Sequence, residues 1–297
     1  RHLGRRPGHR GCLLHTLFSC SHNMSRLRAL LGDDASLDGD AQRLLKALGK
    51  KAVETKTKAL HELHKAISTN DAEWSALLLP QFSIAFARLA DDPSWQVREH
   101  ACKVLGLLAQ QLKKRLLPHL KQLLLPWLRC RFDGQHDVRS AAIGAFSAAF
   151  PGEGNYSRAL SLFVEDLVRG LDELLRAPLP SKTGDESADA EAGEAHTRKV
   201  CTALQAAAHL LTEARADATQ LEKVCSLLGE HLLTPALWKL ATSQSGPIRC
   251  ALYSFIHVLL QAAPELASAS KIPLAATLLD GLKEQDPAGH AALWSPL

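Results

Sequence analysis

The chain has 297 residues, with 35 Lys and Arg against 31 Asp and Glu, a net charge of +4 with histidine neutral. That length is enough to bury a large core, and the mild positive balance permits contact with a polyanion without demanding one. Leucine and alanine are abundant, aromatics are only 5% of residues, and β-branched residues do not alternate with polar ones, which excludes an all-β chain and favours helices throughout.

Residues 1–36 read as a disordered or mis-translated N-terminal tail. Residues 1–23 are acid-free, rich in Arg, Gly, His and Cys, and without helical periodicity; Met24, the only methionine, follows them. A basic targeting or nucleic-acid-binding arm is a second reading. A metal set of His9, Cys12, His15, Cys20 and His22 is a third, although its spacing matches no zinc motif.

Residues 37–176 read as helical pairs. Asp40 is placed to cap a helix through Leu44, Leu45 and Leu48, with Gly49 ending it. Val53, Thr57, Leu60, Leu63 and Ile67 then recur at spacings of three and four. A helix over 71–90, capped by Asn70 or Asp71, carries Pro80, which predicts a break or kink near Leu79. Another spans Ser94 to Leu112. Pro118 starts the next, in which Pro126 predicts a kink or split, and 136–150 closes the group before Pro151. Residues 155–176 read as one long amphipathic helix. Residues 177–196 are acidic and of low complexity, the pattern of a flexible linker. Further helical repeats occupy 197–297, and the apolar run at Ala291–Trp294 predicts that the array continues beyond the last residue.

One pattern recurs along this series. Asp92-Pro93-Ser94 leads into Val97-Arg98, and Asp133-Gly134-Gln135 leads into Val138-Arg139, 41 residues later. Gly246-Pro247-Ile248-Arg249 is a third version. A turn, an apolar-Arg pair and small residues at this period mark stacked helical hairpins. The fold class is therefore all-α, a HEAT/armadillo-like superhelical solenoid of antiparallel helix pairs. Each Asp is placed to cap the following helix, and each Arg to reach an Asp in the turn of a neighbouring repeat.

Chemistry-bearing motifs are few. No phosphate-binding glycine loop, dinucleotide fingerprint or nucleophile elbow occurs. His61-Glu62-Leu63-His64 misses the zinc-protease spacing by one residue. No catalytic residue and no metal ligand is assigned. The seven cysteines include no C-x-x-C pair, which fits a reducing compartment, and no apolar run reaches membrane-spanning length. The basic residues Lys50, Lys51, Lys56, Lys58, Lys113, Lys114, Arg115 and Lys121 are the candidate binding set, because equivalent positions in a stacked array could align as a stripe suited to phosphate.

Over residues 40–297 the chain resembles the N-terminal region of the listerin family, the RING-type E3 ubiquitin ligases of ribosome-associated quality control. Lys50-Lys51, Thr55 to Leu63, Val97-Arg98-Glu99, Leu117-Pro118-His119-Leu120-Lys121 and Trp127-Leu128 carry the resemblance. So do Ala145-Phe146-Ser147-Ala148-Ala149-Phe150-Pro151, Leu237-Trp238-Lys239, Pro247-Ile248-Arg249, Asp286-Pro287 and Ala292-Leu293-Trp294. The resemblance implies a cytosolic, monomeric, non-catalytic solenoid that docks on the large (60S) ribosomal subunit. It implies as partners the ribosome's protein and RNA and a factor that recognises the nascent-chain tRNA. Zinc and the ubiquitin-conjugating enzyme would engage only a RING, whose ligands this chain lacks. The other reading is a generic HEAT-repeat scaffold for transport or complex assembly.

Overall fold

Leucine-rich stripes at spacings of three and four build fifteen α-helices among the described residues, 37–295 of a computed structural model. The expectations for residues 1–36 lie outside the described residues. The chain from Gly39 onward groups as one unit.

In order, the helices are α1 (Gly39–Ala47), α2 (Val53–Thr69), α3 (Ala72–Leu89), α4 (Trp95–Leu112), α5 (Leu120–Cys130), α6 (His136–Ala149), α7 (Asn155–Leu162) and α8 (Val164–Arg176). Then come α9 (Glu186–Ala214), α10 (Ala218–Leu227), α11 (Pro235–Trp238), α12 (Gly246–Ala262), α13 (Pro264–Ala269), α14 (Lys271–Gly281) and α15 (Pro287–Trp294). A 3-10 segment, Lys113–His119, joins α4 to α5. The second helices of successive pairs stack in rows: α2 on α4 on α6, then α9 on α12 on α15. Between the rows the register shifts, because α9 packs on α5 and α8 and makes little contact with α6. This is the HEAT/armadillo-like all-α architecture.

Burial explains the rows. Leu60, Leu63 and Ile67 of α2, Val97, Leu105 and Leu108 of α4, and Val138 and Ala142 of α6 have no exposed surface. A Cβ added to Gly106 on α4 would lie 3.2 Å from the Ala145 Cβ on α6, so small residues set that helix spacing. The Trp127–Phe150 block forms an aromatic centre. Trp127 is fully buried, stacks on Phe146 at 4.0 Å, and donates Nε1–H to the Ala142 carbonyl at 3.1 Å.

Several local expectations are corrected. α3 continues through Pro80 and α5 through Pro126, so neither helix is broken or split at its proline. Each proline removes one backbone hydrogen bond, but Leu78, Leu79, Phe82 and Phe86 around the first, and Leu123, Leu124, Trp127 and Leu128 around the second, are buried along both helices. The segment 155–176 is two helices, broken at Phe163 (φ −108°, ψ 13°). The break lets Leu160 of one and Val164, Leu167, Val168 and Leu171 of the other all face the core. Residues 186–196, assigned by sequence to the acidic linker, are the first turns of the 29-residue α9. Their alanines and glutamates are good helix formers, and Asp185 caps the start by accepting from the Ser187 and Ala188 amides. Only 177–185 of this stretch lack regular structure apart from a bend. Asp40 lies inside the first turn of α1 rather than capping it, whereas Asp71 caps α3 through the Trp74 amide at 2.9 Å.

Candidate interaction surfaces

The apolar-Arg motif forms a ladder across the turns. Arg98 lies bidentate on Asp133, with Nε to Oδ2 at 2.7 Å and Nη2 to Oδ1 at 3.0 Å. Arg249 holds Glu284 the same way at 2.6 Å and 2.6 Å. In both, the partner lies 35 residues on, in the turn before the next stacked helix. Each Arg also donates Nη1–H to the carbonyl six residues before it: Asp92 for Arg98, Asp133 for Arg139 and Ser243 for Arg249. The motif arginines are thus structural. The Asp residues do not cap the helices directly. Asp92 and Asp133 accept from the amides of Ser94 and Gln135, two residues on, and fix the turn. Arg249, above all through its hydrogen bonds, holds the Glu284 carboxyl down at about 2.

Lys56 is the first rung of this ladder. It is 8% exposed and paired with Asp92, so it leaves the candidate binding set. Arg139 is the rung without a carboxylate. It has its two turn carbonyls, Asp133 and Gly134, but the register shift after α6 supplies no acid opposite it among the described residues.

Where α9 crosses the row, a charge network replaces the missing rung. Asp91 accepts from Arg129 at 2.7 Å and pairs with Lys199 at 3.3 Å. Burial alone would raise the Asp91 carboxyl, but Arg129 and Lys199 outweigh it and hold it below its ordinary value. Arg198 donates to the carbonyls of Asp91 and Asp92 at 3.0 and 3.3 Å. Sequence reading missed this centre because its members lie up to 108 residues apart, with no local signature. Beside it runs an open groove of about 1,700 Å³ along α9 and the turns before α4, α6, α12 and α15, lined among others by Trp95, Arg198, Gln205, Lys239, Ile248 and Ser254.

The remaining basic residues do not form one stripe. α2 and α4 lie side by side in parallel: Lys56 meets the turn before α4 at one end, and Gln111 near the end of α4 donates to the Ile67 carbonyl at the other, at 2.6 Å. Lys50, Lys51 and Lys58 therefore sit toward the starting end of this row. Lys113, Lys114 and Arg115 sit at the opposite end, a helix length of roughly 25 Å away. Arg115 pairs with Glu73 at 2.7 Å and Lys121 with Asp166 at 2.8 Å, both on the surface. Lys50, Lys51, Lys58, Lys113 and Lys114 are exposed and make no ion pair among the described residues. Lys113 also has a left-handed φ of 49°, a strained conformation for a side-chain-bearing residue, where the chain leaves α4.

His61 of the near-miss motif packs against His100, the rings tilted by 38° with centroids 4.5 Å apart, and burial, followed by His61, Lys103 and His100, lowers the His64 pKa. Among the described residues no group of three or more His, Cys, Asp or Glu is placed to hold a metal ion, so they do not fit a zinc site. The five described cysteines are free, and no described helix is long and apolar enough to cross a membrane.

Residues 34–297 match the family model of the E3 ubiquitin-protein ligase listerin N-terminal domain. The chain is 28% identical over 268 residues to listerin of Drosophila melanogaster and 27% identical over 266 residues to that of Mus musculus. Each alignment covers 88% of this chain and 15% of the relative, so the chain spans under a sixth of their length. Among solved structures it is similar to computationally designed armadillo repeat proteins for modular peptide recognition (15% identity, TM-score 0.39, covering 86% of this chain and 97% of that one). It is also similar to a crescerin TOG domain (16% identity, TM-score 0.46, covering 86% and 88%).

Proposed function

From the premise that this chain belongs to the listerin family, over its N-terminal domain, we propose that it is the non-catalytic docking solenoid of a listerin-like E3 ubiquitin ligase. It binds the large ribosomal subunit in the cytosol, and the intact ligase then ubiquitinates stalled nascent chains for proteasomal degradation. The match over residues 34–297 carries this reading. The exposed Lys50, Lys51, Lys58, Lys113 and Lys114, which make no ion pair among the described residues, support it, since such residues can neutralise RNA phosphates and release counterions. A nascent-chain-tRNA-recognising factor is the second partner, and zinc and the ubiquitin-conjugating enzyme belong to the RING of the intact ligase.

Co-sedimentation of the purified chain with separated large and small ribosomal subunits, at low and moderate salt, tests the docking. Selective, salt-sensitive recovery with the large subunit is expected. Equal affinity for both subunits and for bulk RNA would sink the proposal and leave a HEAT-repeat scaffold for another pathway.

A further inference from the structure

We propose that Thr183 is a phosphorylation site for an acid-directed protein kinase, and that the phosphate loosens the start of α9. Acid-directed kinases choose a serine or threonine with a carboxylate three residues further on, reading a charge pattern. That spacing occurs four times among the described residues, at Ser68, Thr183, Thr219 and Thr277. Ser68 lies in α2, Thr219 in α10 and Thr277, buried, in α14, so each would have to unwind its helix to enter a kinase cleft as extended chain. Thr183 is exposed within 177–185, the longest irregular stretch among the described residues, and Asp185 and Glu186 follow it. Its neighbours Ser181 and Ser187 lack the acid, since Gly184 and Ala190 stand at the third position. In the transfer, a bond forms from Thr183 Oγ1 to the γ-phosphorus of ATP as the bond from that phosphorus to the β–γ bridging oxygen breaks. The hydroxyl proton passes to a base of the kinase, and ADP leaves.

Thr183 also fastens the helix that follows it. Its amide and its hydroxyl donate to Asp189 Oδ1 at 2.7 and 2.8 Å, and the Gly184 amide donates to Oδ2 at 3.3 Å. These bonds, the Thr183 amide first, hold the Asp189 carboxyl below its ordinary value. A phosphate ester has no hydroxyl proton to donate and carries about −1.5 to −2 charges at pH 7. It would stand beside Asp185, Glu186 and Asp189, with Lys182 as the one cation of residues 177–193. Free amides at a helix start attract phosphate. Here Asp185 already accepts those of Ser187 and Ala188, and Asp189 those of Thr183 and Gly184, so repulsion outweighs attraction. No residue of α9 before Val200 is buried, so packing does not hold the first turns. The bonds from Arg198 to the Asp91 and Asp92 carbonyls anchor the helix beyond them.

The whole chain, treated with magnesium-ATP and a purified acid-directed serine/threonine kinase, tests this, with an acidic substrate peptide as positive control. Mass spectrometry locates the phosphate, and amide deuterium exchange is followed before and after. One phosphate, on Thr183, is expected. Glu186→Gln, a substitution at an exposed position, should slow its addition about tenfold, the loss of one hydrogen bond to a charged group. Thr183→Ser keeps both hydroxyl and motif and should be phosphorylated like the parent. Circular-dichroism melts confirm that each variant is folded. In the phosphorylated chain, exchange over 186–193 should quicken about tenfold, as on losing a capping bond, while 200–214 stays as in the parent. An unlabelled chain, phosphate on Ser68, Ser181, Ser187 or Thr219 in place of Thr183, a full rate in Glu186→Gln, or unchanged exchange over 186–193 after phosphorylation would each overturn the proposal.

Discussion

Arg98 and Arg139 occupy the same motif position yet carry different loads. The side chains of Arg98 and Asp133 are both 4% exposed, and each neutralises the other in the interior. Arg98→Ala would strand a buried carboxylate, and a loss of about 3–5 kcal/mol in urea-denaturation stability is expected. Arg139→Ala removes bonds to two carbonyls and no acid, so about 1–2 kcal/mol is expected. Arg98→Leu combined with Asp133→Leu should be less destabilised than Arg98→Ala alone, because no charge is left unpaired. Equal losses for Arg98→Ala and Arg139→Ala would refute the ladder. The Arg98–Asp133 bond is legible in the sequence, since turn, apolar-Arg pair and period fix who faces whom. The unpaired state of Arg139 is not, because it depends on how α9 sits after the register shift.

At the scale of the element, packing overrides local rules wherever the two conflict. Pro80 and Pro126 have the right intrinsic preference to end a helix, but the leucines and aromatics beside them are worth more buried than one backbone hydrogen bond costs. The acidic stretch misleads over 186–196 because low complexity hides an alanine-rich, capped helix start. The α9 element also carries a titration prediction. The Tyr156 hydroxyl and His209 Nε2 lie within hydrogen-bond distance, at 2.9 Å. Burial pushes the His209 pKa down to about 4, with Arg131 adding to it against Glu213. An unfolded histidine titrates near 6.5, so in this window the unfolded chain binds more protons than the folded one. Stability is then complete above pH 6.5 and falls as pH drops from 6.5 to about 4, by up to about 3 kcal/mol. Thermal melts across this range should show the fall in the parent chain and a flatter profile in His209→Gln, whose amide can donate to or accept from Tyr156. Parallel profiles would exclude His209 as the cause. Packing between elements is equally exposed to test: Gly106→Leu drives a side chain into Ala145 and should cost about 1–3 kcal/mol or more, read as a lowered Tm.

For the whole molecule, the architecture is readable because it repeats, whereas the surface is not. Period and spacing determine which residues face inward, but a cation on an outer face and a cation serving as a rung look alike in sequence, and so Lys56 groups there with Lys50, Lys51 and Lys58. The same limit hides the division of the basic residues between two ends of the first row. That division gives the docking proposal a sharper form. If both ends touch ribosomal RNA, the two docking points are separated by roughly 25 Å and act independently. Charge reversal at Lys50, Lys51 and Lys58 and charge reversal at Lys113 and Lys114 should then each flatten the dependence of large-subunit affinity on salt, by roughly 0.7–0.9 in log-log slope for every phosphate no longer neutralised. Their effects on binding free energy should add, as expected for distant sites. If one end alone docks, only its variant changes slope while the other retains parental affinity at every salt concentration. Lys56→Glu separates charge from structure: it places a carboxylate against the buried Asp92, so it should lower the melting temperature, unlike the exposed-lysine reversals. A Lys56→Glu chain that melted like the parent and lost only ribosome affinity would return Lys56 to the binding surface and break the first rung of the ladder.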